Sequence, residues 1–225
     1  MMELPDIDWQ LALDSFWPLL RGGLTGTIPL TVASFTLGLS LALVLALMRI
    51  SGNRLLSGVA RFYISVIRGT PLLVQLFVIF FGLPSIGVTI DPWPSAVIAF
   101  SMNVGGYAAE IIRAAVLSVP KGQWEAGYTI GMSRNQALRR LILPQAARVS
   151  VPPLSNTFIS LVKDTSLASL ILVTELFREA EQVAAFSQEF MLLYVEAAMI
   201  YWVFCLVLST VQDRLERRLD RYVAH

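Results

Sequence analysis

The sequence predicts an all-α integral membrane protein with five transmembrane helices, and three observations support this prediction. The 225 residues are 56% hydrophobic and only 15% charged, with a mean hydropathy of +0.66, which is too apolar for a soluble domain. Apolar runs long enough to cross a bilayer recur along the chain. Lysine and arginine concentrate in segments that five crossings place on one side of the membrane.

The first two predicted spans begin near the N-terminus. The first runs from Leu24 to Met48 and contains no charge. The second runs from about residue 55 to residue 83 and is interrupted by Gly69-Thr70-Pro71, directly after Arg68. Two interpretations of this break stay open, a plain helix kink or the cytoplasmic end of a transport path.

Three further spans are predicted over about 95–117, 147–162 and 190–211. The segment 165–188 is acidic, is expected to be partly helical and is too polar to be a span. The start of the chain is also acidic and lacks the basic beginning of a signal peptide. The chain therefore divides into an extracytoplasmic segment (1–22), a transmembrane domain (23–211) containing a loop at 118–146, and a cytoplasmic tail (212–225).

Orientation follows from the basic residues. With five crossings, the lysines and arginines fall on one side of the membrane. The exceptions are Arg21 and Arg178, with Lys163 close to the boundary of the fourth span. The positive-inside rule then places the N-terminus outside and the C-terminus inside. The loop at 118–146 is consequently predicted to lie in the cytoplasm.

This loop contains the longest polar interruption, KGQWEAGYTIGMSRNQALRRLILP from Lys121 to Pro144. It is interpreted as two short helices joined at Gly131, where a left-handed C-terminal cap is needed. Ser133 and Gln136 form a capping-box pattern that starts the second helix, predicted over 134–143.

The first helix of the loop, about 123–130, is too short to be stable alone, so a partner is expected to pack against it. It carries Trp124, Tyr128 and Ile130 beside one charge, Glu125. Apolar and aromatic side chains on a water-facing loop predict a docking surface for another protein.

Polar side chains recur at helical spacing inside two spans. A polar stripe at membrane depth must face another helix or a wet cavity, because lipid cannot satisfy it. Two interpretations stay open, hydrogen bonding between helices or the lining of a substrate path. The stripe residues are Asn103, Gly106, Tyr107 and Glu110 in the third span, and Asn156, Thr157, Ser160 and Asp164 in the fourth.

Asp164 is the strongest candidate for a path residue, since an unpaired acid near the outer membrane level is costly. Its neighbour Lys163 points about 100° away on a helix and is a poor partner. Gln75 in the second span is a weaker candidate. Glu196 in the fifth span either lines the path or is solvated at the outer interface.

Two local features bear on these stripes. Glu110 precedes Arg113 by three residues, which predicts a pair on the helix surface. Pro152 and Pro153 interrupt the hydrogen bonding of the fourth span and leave free carbonyls that are expected to line a cavity.

The loop resembles the EAA loop of the membrane-spanning subunits of ABC importers, whose pattern is E-A-A, three residues, G, nine residues, I-x-L-P. This chain departs from it at Gly127 and Leu141. In that family the loop is the coupling helix, which inserts into a cleft on a cytoplasmic ATPase. The resemblance implies a coupling role for Trp124, Glu125, Ala126, Gly127, Gly131, Leu143 and Pro144.

Longer stretches resemble the polar amino-acid branch of these permeases, among them FYISVIRGTPLLVQLF, GGYAAEIIRAAV, ILPQAARVSVPPLSNTFISLVKDTSLASL and TELFREA. KGQWEAGYTIGM, PPLSNTFISLVKDTSLAS and IYW near Tyr201 are similar to permeases of bacterial L-cystine importers. The resemblance implies a type I ABC importer permease in the bacterial inner membrane. The resemblance also implies the partners of this permease: a second copy or a sister permease, two ATPase subunits and an extracytoplasmic amino-acid-binding protein.

The same resemblance bears on the substrate. Family members that carry basic amino acids have an acidic residue at the position of Thr157, so the uncharged Thr157 favours a zwitterionic polar amino acid such as cystine. Asn103, Tyr107, Asn156, Thr157, Ser160, Asp164 and Gln75 are the predicted path residues. Glutamine, glutamate, histidine or arginine is the alternative substrate.

The chain has no G-x-x-x-x-G-K-[ST] motif, so ATP and Mg²⁺ are expected on the partner ATPase and no cofactor on this chain. With the single histidine at position 225 and the single cysteine at 205, metal or nucleophilic chemistry has little to build on, which disfavours a membrane enzyme. Nucleic acid is not an expected partner. An ATP-independent secondary transporter is the other alternative, but the internal repeat typical of that class is not seen.

Overall fold

A computed structural model describes residues 8–220, and within this range every regular element is a helix. The predicted segment 1–7 and the end of the predicted tail, 221–225 with His225, lie outside the described residues. The helices are α1 Trp9–Gly22, α2 Ile28–Ile50, α3 Arg54–Gly69, α4 Leu72–Phe77, α5 Pro92–Ser118, α6 Lys121–Thr129, α7 Arg134–Ala137, α8 Leu143–Asp164, α9 Leu176–Ser187 and α10 Phe190–Asp220.

Three helices are long and apolar enough to cross a membrane, and two bent helix pairs raise the number to five. The three are Trp9–Ile50, Pro92–Ser118 and Phe190–Arg218. The bent pairs are Arg54–Gly69 with Leu72–Ile86, and Arg134–Ile171 with Leu176–Ser187. The predicted fold class is confirmed on this count, although part of the polar segment 165–188 is helical and continues the fourth span.

The first span begins earlier than the predicted Leu24. The helix begins at Trp9 and continues through a π-helical turn, Gly23–Thr27, to Ile50, 42 residues in all. The side chain of Asp8 caps it by accepting hydrogen bonds from the backbone N–H groups of Gln10 and Leu11. The acidic Asp8 thus caps the start of this helix, so acidic charge in the N-terminal segment does not exclude a helix there.

The second span is sharply broken where Gly69-Thr70-Pro71 predicts a break. The axes of the two helical parts differ by 105°. The side-chain amide of Gln75 donates to the backbone oxygen of Ile67 at 2.7 Å and to that of Thr70 at 3.1 Å. This satisfies carbonyls that a break at membrane depth otherwise leaves without partners.

The core is built on close contact between α2 and α5. A Cβ placed on Gly38 would lie 2.6 Å from the Cβ of Val104, and one placed on Gly105 would lie 2.7 Å from Leu41 Cδ2. These glycines therefore allow the helix backbones to approach, as small residues do in membrane helix pairs. Phe100 is fully buried beside this contact.

Glu175 joins the first span to α9 and α10, a role that no sequence pattern predicts. Its side chain is fully buried and accepts hydrogen bonds from the N–H groups of Phe177 and Arg178 at the start of α9. It also accepts from the hydroxyl of Tyr201 at 2.7 Å and that of Thr27 at 3.2 Å. One carboxylate therefore caps a helix and ties three segments together.

Replacing Glu175 by Ala is expected to destabilise the protein by about 2–4 kcal/mol, because a helix cap is lost and buried donors are left unpaired. The measurement is the thermal unfolding midpoint of the purified protein in detergent. Glu189→Ala removes an exposed glutamate from the same region and is the matched control. Equal midpoints for the two variants would contradict the structural role given to Glu175.

Candidate functional site

A cavity of about 800 Å³ lies between α5, α8 and the break that follows α3. Both predicted stripes contribute to it, α5 through Asn103 and Tyr107, and α8 through the whole of its stripe. The polar residues of its lining are Arg68, Thr70, Asn103, Tyr107, Glu110, Asn156, Thr157, Ser160 and Asp164. Side chains that are far apart in the sequence therefore line one space.

Two of the residues predicted with the stripes lie behind the lining. Gln75 accepts a hydrogen bond from the side-chain amide of Asn103 at 3.1 Å, so it supports a lining residue. Gly106 lies against α3, where a Cβ would come within 2.7 Å of Ile67 Cγ2. Gly106 is therefore a packing position between helices.

The α8 stripe is partly engaged in hydrogen bonds. Thr157 Oγ1 donates to the backbone oxygen of Pro153 at 2.9 Å, so this carbonyl has a partner within α8. Asn156 Oδ1 accepts from Gln212 Nε2 of α10 at 3.1 Å. Asn156 therefore bonds to another helix and also lines the cavity.

Asp164 is half-buried at the cavity and forms no salt bridge with the side chains described in residues 8–218. Lys163 lines a different cavity of about 530 Å³, together with Tyr194, Tyr201 and Trp202. The prediction that Lys163 points away from Asp164 is confirmed. The Asp164 carboxylate is left available to a group inside the cavity.

Arg68 places a positive charge on the same cavity. Its guanidinium carbon lies 5.2 Å from the centre of the Tyr107 ring, a cation–π arrangement that orients the side chain. Arg68 also forms no salt bridge among the described residues. The spacing of the stripes did not reveal Arg68, since its place beside Tyr107 arises from the packing of α3 on α5.

The third charged residue of the lining, Glu110, is neutralised by arginines. Glu110 Oε2 accepts from Arg113 Nη2 at 2.7 Å, as its spacing predicts, and Glu110 Oε1 lies 3.4 Å from Arg49 Nε of α2. The cavity therefore presents one cation, Arg68, and one carboxylate, Asp164, that lack a charged partner in the described part of the chain.

Glu196 is partly exposed and bonds to the N-terminal helix. It accepts a hydrogen bond from the hydroxyl of Ser15 at 2.6 Å, across the contact between α10 and α1. It is absent from the lining of the 800 Å³ cavity. The partner, Ser15, belongs to α1, a region where the sequence predicts no helix.

The polar loop adopts the predicted turn. Gly131 has φ +79°, a left-handed conformation, and ends the stretch that begins with α6. Ser133 and Gln136 form both hydrogen bonds of the capping box. The predicted end of the second helix near Leu143 is wrong, because α7 continues through the π-helical segment Leu138–Ile142 into α8. This π segment ends two residues before Pro144, which has no N–H to donate.

Trp124 corrects the predicted docking surface. It is half-buried against Ala115, Val116 and Val119 near the end of α5 and against Ile142 near the start of α8. The side chains left at the surface of this segment are Glu125, Ala126, Tyr128 and Ile130, the last 70% exposed. Trp124 therefore fixes α6 to the membrane helices.

Gly127 and Leu141, the two departures from the EAA pattern, contact each other. Gly127 is buried, and a Cβ on it would lie 3.1 Å from Leu141 Cδ1 and 3.2 Å from Ala137 Cβ. The missing methyl group at 127 thus leaves room for the leucine at 141. Leu143 packs on the same apolar cluster as Trp124, while Pro144 is exposed.

The sequence matches the family model described as the binding-protein-dependent transport system inner membrane component over residues 34–221. The chain belongs to this family. It is 64% identical over 219 residues to the L-cystine transport system permease protein of Bacillus subtilis (strain 168), covering 97% of this chain and 94% of the relative. It is 40% identical over 214 residues to the glutamine transport system permease protein of Escherichia coli (strain K12), covering 94% of this chain and 97% of the relative.

Solved structures agree with this assignment. A crystal structure of an amino acid ABC transporter with histidines superposes with a TM-score of 0.90 at 36% identity, covering 94% of this chain and 99% of the other. An inward-facing methionine ABC transporter has the same fold, with a TM-score of 0.70 at 20% identity over 96% of this chain and 99% of the other. The chain is accordingly a permease subunit of the amino-acid ABC importer class.

Gly127→Leu is expected to loosen the loop, because the added side chain overlaps Leu141 and overpacking costs about 1–3 kcal/mol. The rate of tryptic cleavage within 121–140 in detergent is expected to rise about tenfold. Gly122→Leu is the control, since a Cβ there meets no atom within 4 Å. Equal protection of both variants would contradict the packing role of Gly127.

Proposed function

We propose that this chain forms the transmembrane path of an ATP-driven importer for L-cystine. The observation that supports this substrate best is the 64% identity, over nearly the full length of both chains, to a relative named for L-cystine transport. Relatives named for glutamine and arginine transport are 40% and 37% identical to this chain. These amino acids are the alternatives that the experiment below must separate.

The charges of the cavity support a zwitterionic substrate. Arg68 is suited to an α-carboxylate and Asp164 to an α-ammonium group, and both line the same 800 Å³ space. Thr157 faces this space without charge, so a substrate with a net positive charge, as arginine has, finds no additional carboxylate there, whereas cystine balances each ammonium group with a carboxylate of its own. The volume lies within the range of small-molecule sites, about 300–1,000 Å³. Asn103, Tyr107, Asn156 and Ser160 supply uncharged hydrogen-bonding groups.

The loop supports coupling to a cytoplasmic ATPase. Its exposed residues include Tyr128 and Ile130 beside the charged Glu125, on a helix that is too short to be stable alone. Trp124 and Gly127 pack this helix onto α5 and onto the helix that leads into α8. That helix is unbroken from Arg134 to Asp164. A displacement of the loop is therefore transmitted along it to the residues of the cavity.

Two ATPase subunits, holding ATP and Mg²⁺, are the partners proposed at this surface, and a second permease copy or a sister permease is proposed to complete the path. An extracytoplasmic binding protein delivers the amino acid, in keeping with the description of the family. ATP binding moves the permease only through contacts that differ between its two states. The coupling surface supplies those contacts.

The test is reconstitution with the ATPase and the binding protein in vesicles. We expect ATP hydrolysis to rise with L-cystine and labelled cystine uptake to require ATP, with little competition from arginine or glutamine. Saturable arginine uptake that cystine does not reduce would overturn the substrate. Uptake at the same rate without ATP would overturn the importer mechanism and favour a secondary transporter.

Glu125→Lys and Gly131→Asp are each expected to reduce cystine uptake at least about tenfold, while membrane insertion persists. The first reverses a charge on the coupling surface, and the second adds a negatively charged side chain at φ +79°, a left-handed conformation that glycine adopts without steric cost. ATP hydrolysis and uptake are measured in the same vesicles. Gly122→Ala, in open space on the same helix, is the control. Normal coupled uptake in either variant would contradict the docking assignment.

Asp164→Asn is expected to raise the KM for cystine by about 10–100-fold, because a charged hydrogen-bond partner contributes about 1.5–3 kcal/mol. The control is Lys163→Gln, which alters the adjacent charge in a different cavity. Uptake kinetics over a range of cystine-loaded binding protein measure the effect. If the KM stays unchanged, Asp164 does not contact the substrate and selection belongs to the binding protein.

A further inference from the structure

A strongly cationic pocket lies beside the coupling loop, apart from the 800 Å³ cavity. Two adjoining cavities of about 480 and 430 Å³ share Arg49, Arg61 and Arg134 in their linings. Neither lining contains an acidic residue. Five helices contribute the basic side chains, which are Arg49, Arg54, Arg61, Arg113, Lys121 and Arg134.

The pocket holds more positive charge than the described residues neutralise. Among the side chains described in residues 8–218, Glu110 is the one acid within salt-bridge distance of any of these basic groups, and it is shared between Arg49 and Arg113. Arg134 Nη2 donates to the backbone oxygen of Ile50 at 3.1 Å, which holds its charge in place. Arg54 and Arg61 form no salt bridge in this part of the chain. Like charges held this close favour a bound anion.

The surface of α3 indicates what kind of anion this is. One face of the helix is buried through Ala60, Ile64 and Ile67. A second face carries Arg54 and Arg61 into the pocket. The remaining face is apolar and exposed, with Leu55 at 74% and Phe62 at 72%, along with Val59 and Val66. A cationic pocket next to an exposed apolar helix face matches an amphiphile that has a phosphate head and hydrocarbon tails.

We propose that this pocket binds the phosphate group of an anionic membrane phospholipid, with its acyl chains along the exposed face of α3. A soluble phosphate satisfies the same arginines but makes no use of Leu55, Val59 and Phe62. The pocket is also lined by Trp124 and Arg134 of the loop segment. The bound lipid therefore bridges the turn between α2 and α3 to the base of the coupling helix, and stabilises the attachment of α6.

Lipid binding does not rest on the proposed transport function, and its test uses no transport readout. The protein is extracted from vesicles of phosphatidylcholine with phosphatidylglycerol, and retained phosphatidylglycerol is quantified by native mass spectrometry. Arg54→Gln with Arg61→Gln is expected to lower retention about fivefold for each charge removed. The control is Arg139→Gln with Arg148→Gln, two exposed arginines outside the pocket.

Retention unchanged in the pocket variant, or lost equally in the control, would overturn the site. A second arm measures the thermal unfolding midpoint in lipid-free detergent with inorganic phosphate. Little stabilisation is expected, and a shift as large as that given by phosphatidylglycerol would assign the pocket to a soluble anion. A third arm repeats the retention measurement on the assembled transporter. Loss of the lipid when the ATPase is bound would assign the pocket to that protein and overturn the proposal.

Discussion

Polar groups at membrane depth must find partners within the protein, because hydrocarbon offers none. This constraint organises the described part of the chain. Gln75 satisfies the carbonyls at the 105° break, and Glu175 is surrounded by four donors. Glu110 is held between two arginines, and Glu196 by Ser15. Against this background, Arg68 and Asp164 stand out as charges without a charged partner in the cavity between α5 and α8, the place proposed above for the substrate.

The helix that runs from Arg134 to Asp164 lines the cavity at one end and belongs to the loop at 118–146 at the other. A capping box fixes its start at Ser133, a π-helical segment carries it past Pro144, and Asp164 lies at its other end. Local hydrogen bonding thus produces one continuous element where two had been expected. Its continuity matters for the proposed coupling, because the loop and the cavity are joined by one helix with no loop between them.

The loop is held by packing on one side and left free on the other. Trp124 and Gly127 face the membrane helices, while Glu125, Tyr128 and Ile130 remain exposed. Gly127 and Leu141 differ from the family pattern in a compensating way, since the side chain removed at one position makes space for the other. The cationic pocket lies at the base of the same loop, so the proposed lipid and the proposed ATPase act on one element from two sides.

Patterns confined to one element were readable in the sequence. Apolar runs fixed the class of fold, and Gly131 with the Ser133–Gln136 box fixed the turn of the loop, because these depend on neighbours a few residues apart. Only the tertiary structure decided that Trp124 is half-buried, that Glu196 meets Ser15, that Glu175 joins three segments, and that Arg68 lies over Tyr107. Each of these contacts joins different helices, and which helix faces meet is set by the packing of the whole bundle, which no single stretch of sequence encodes.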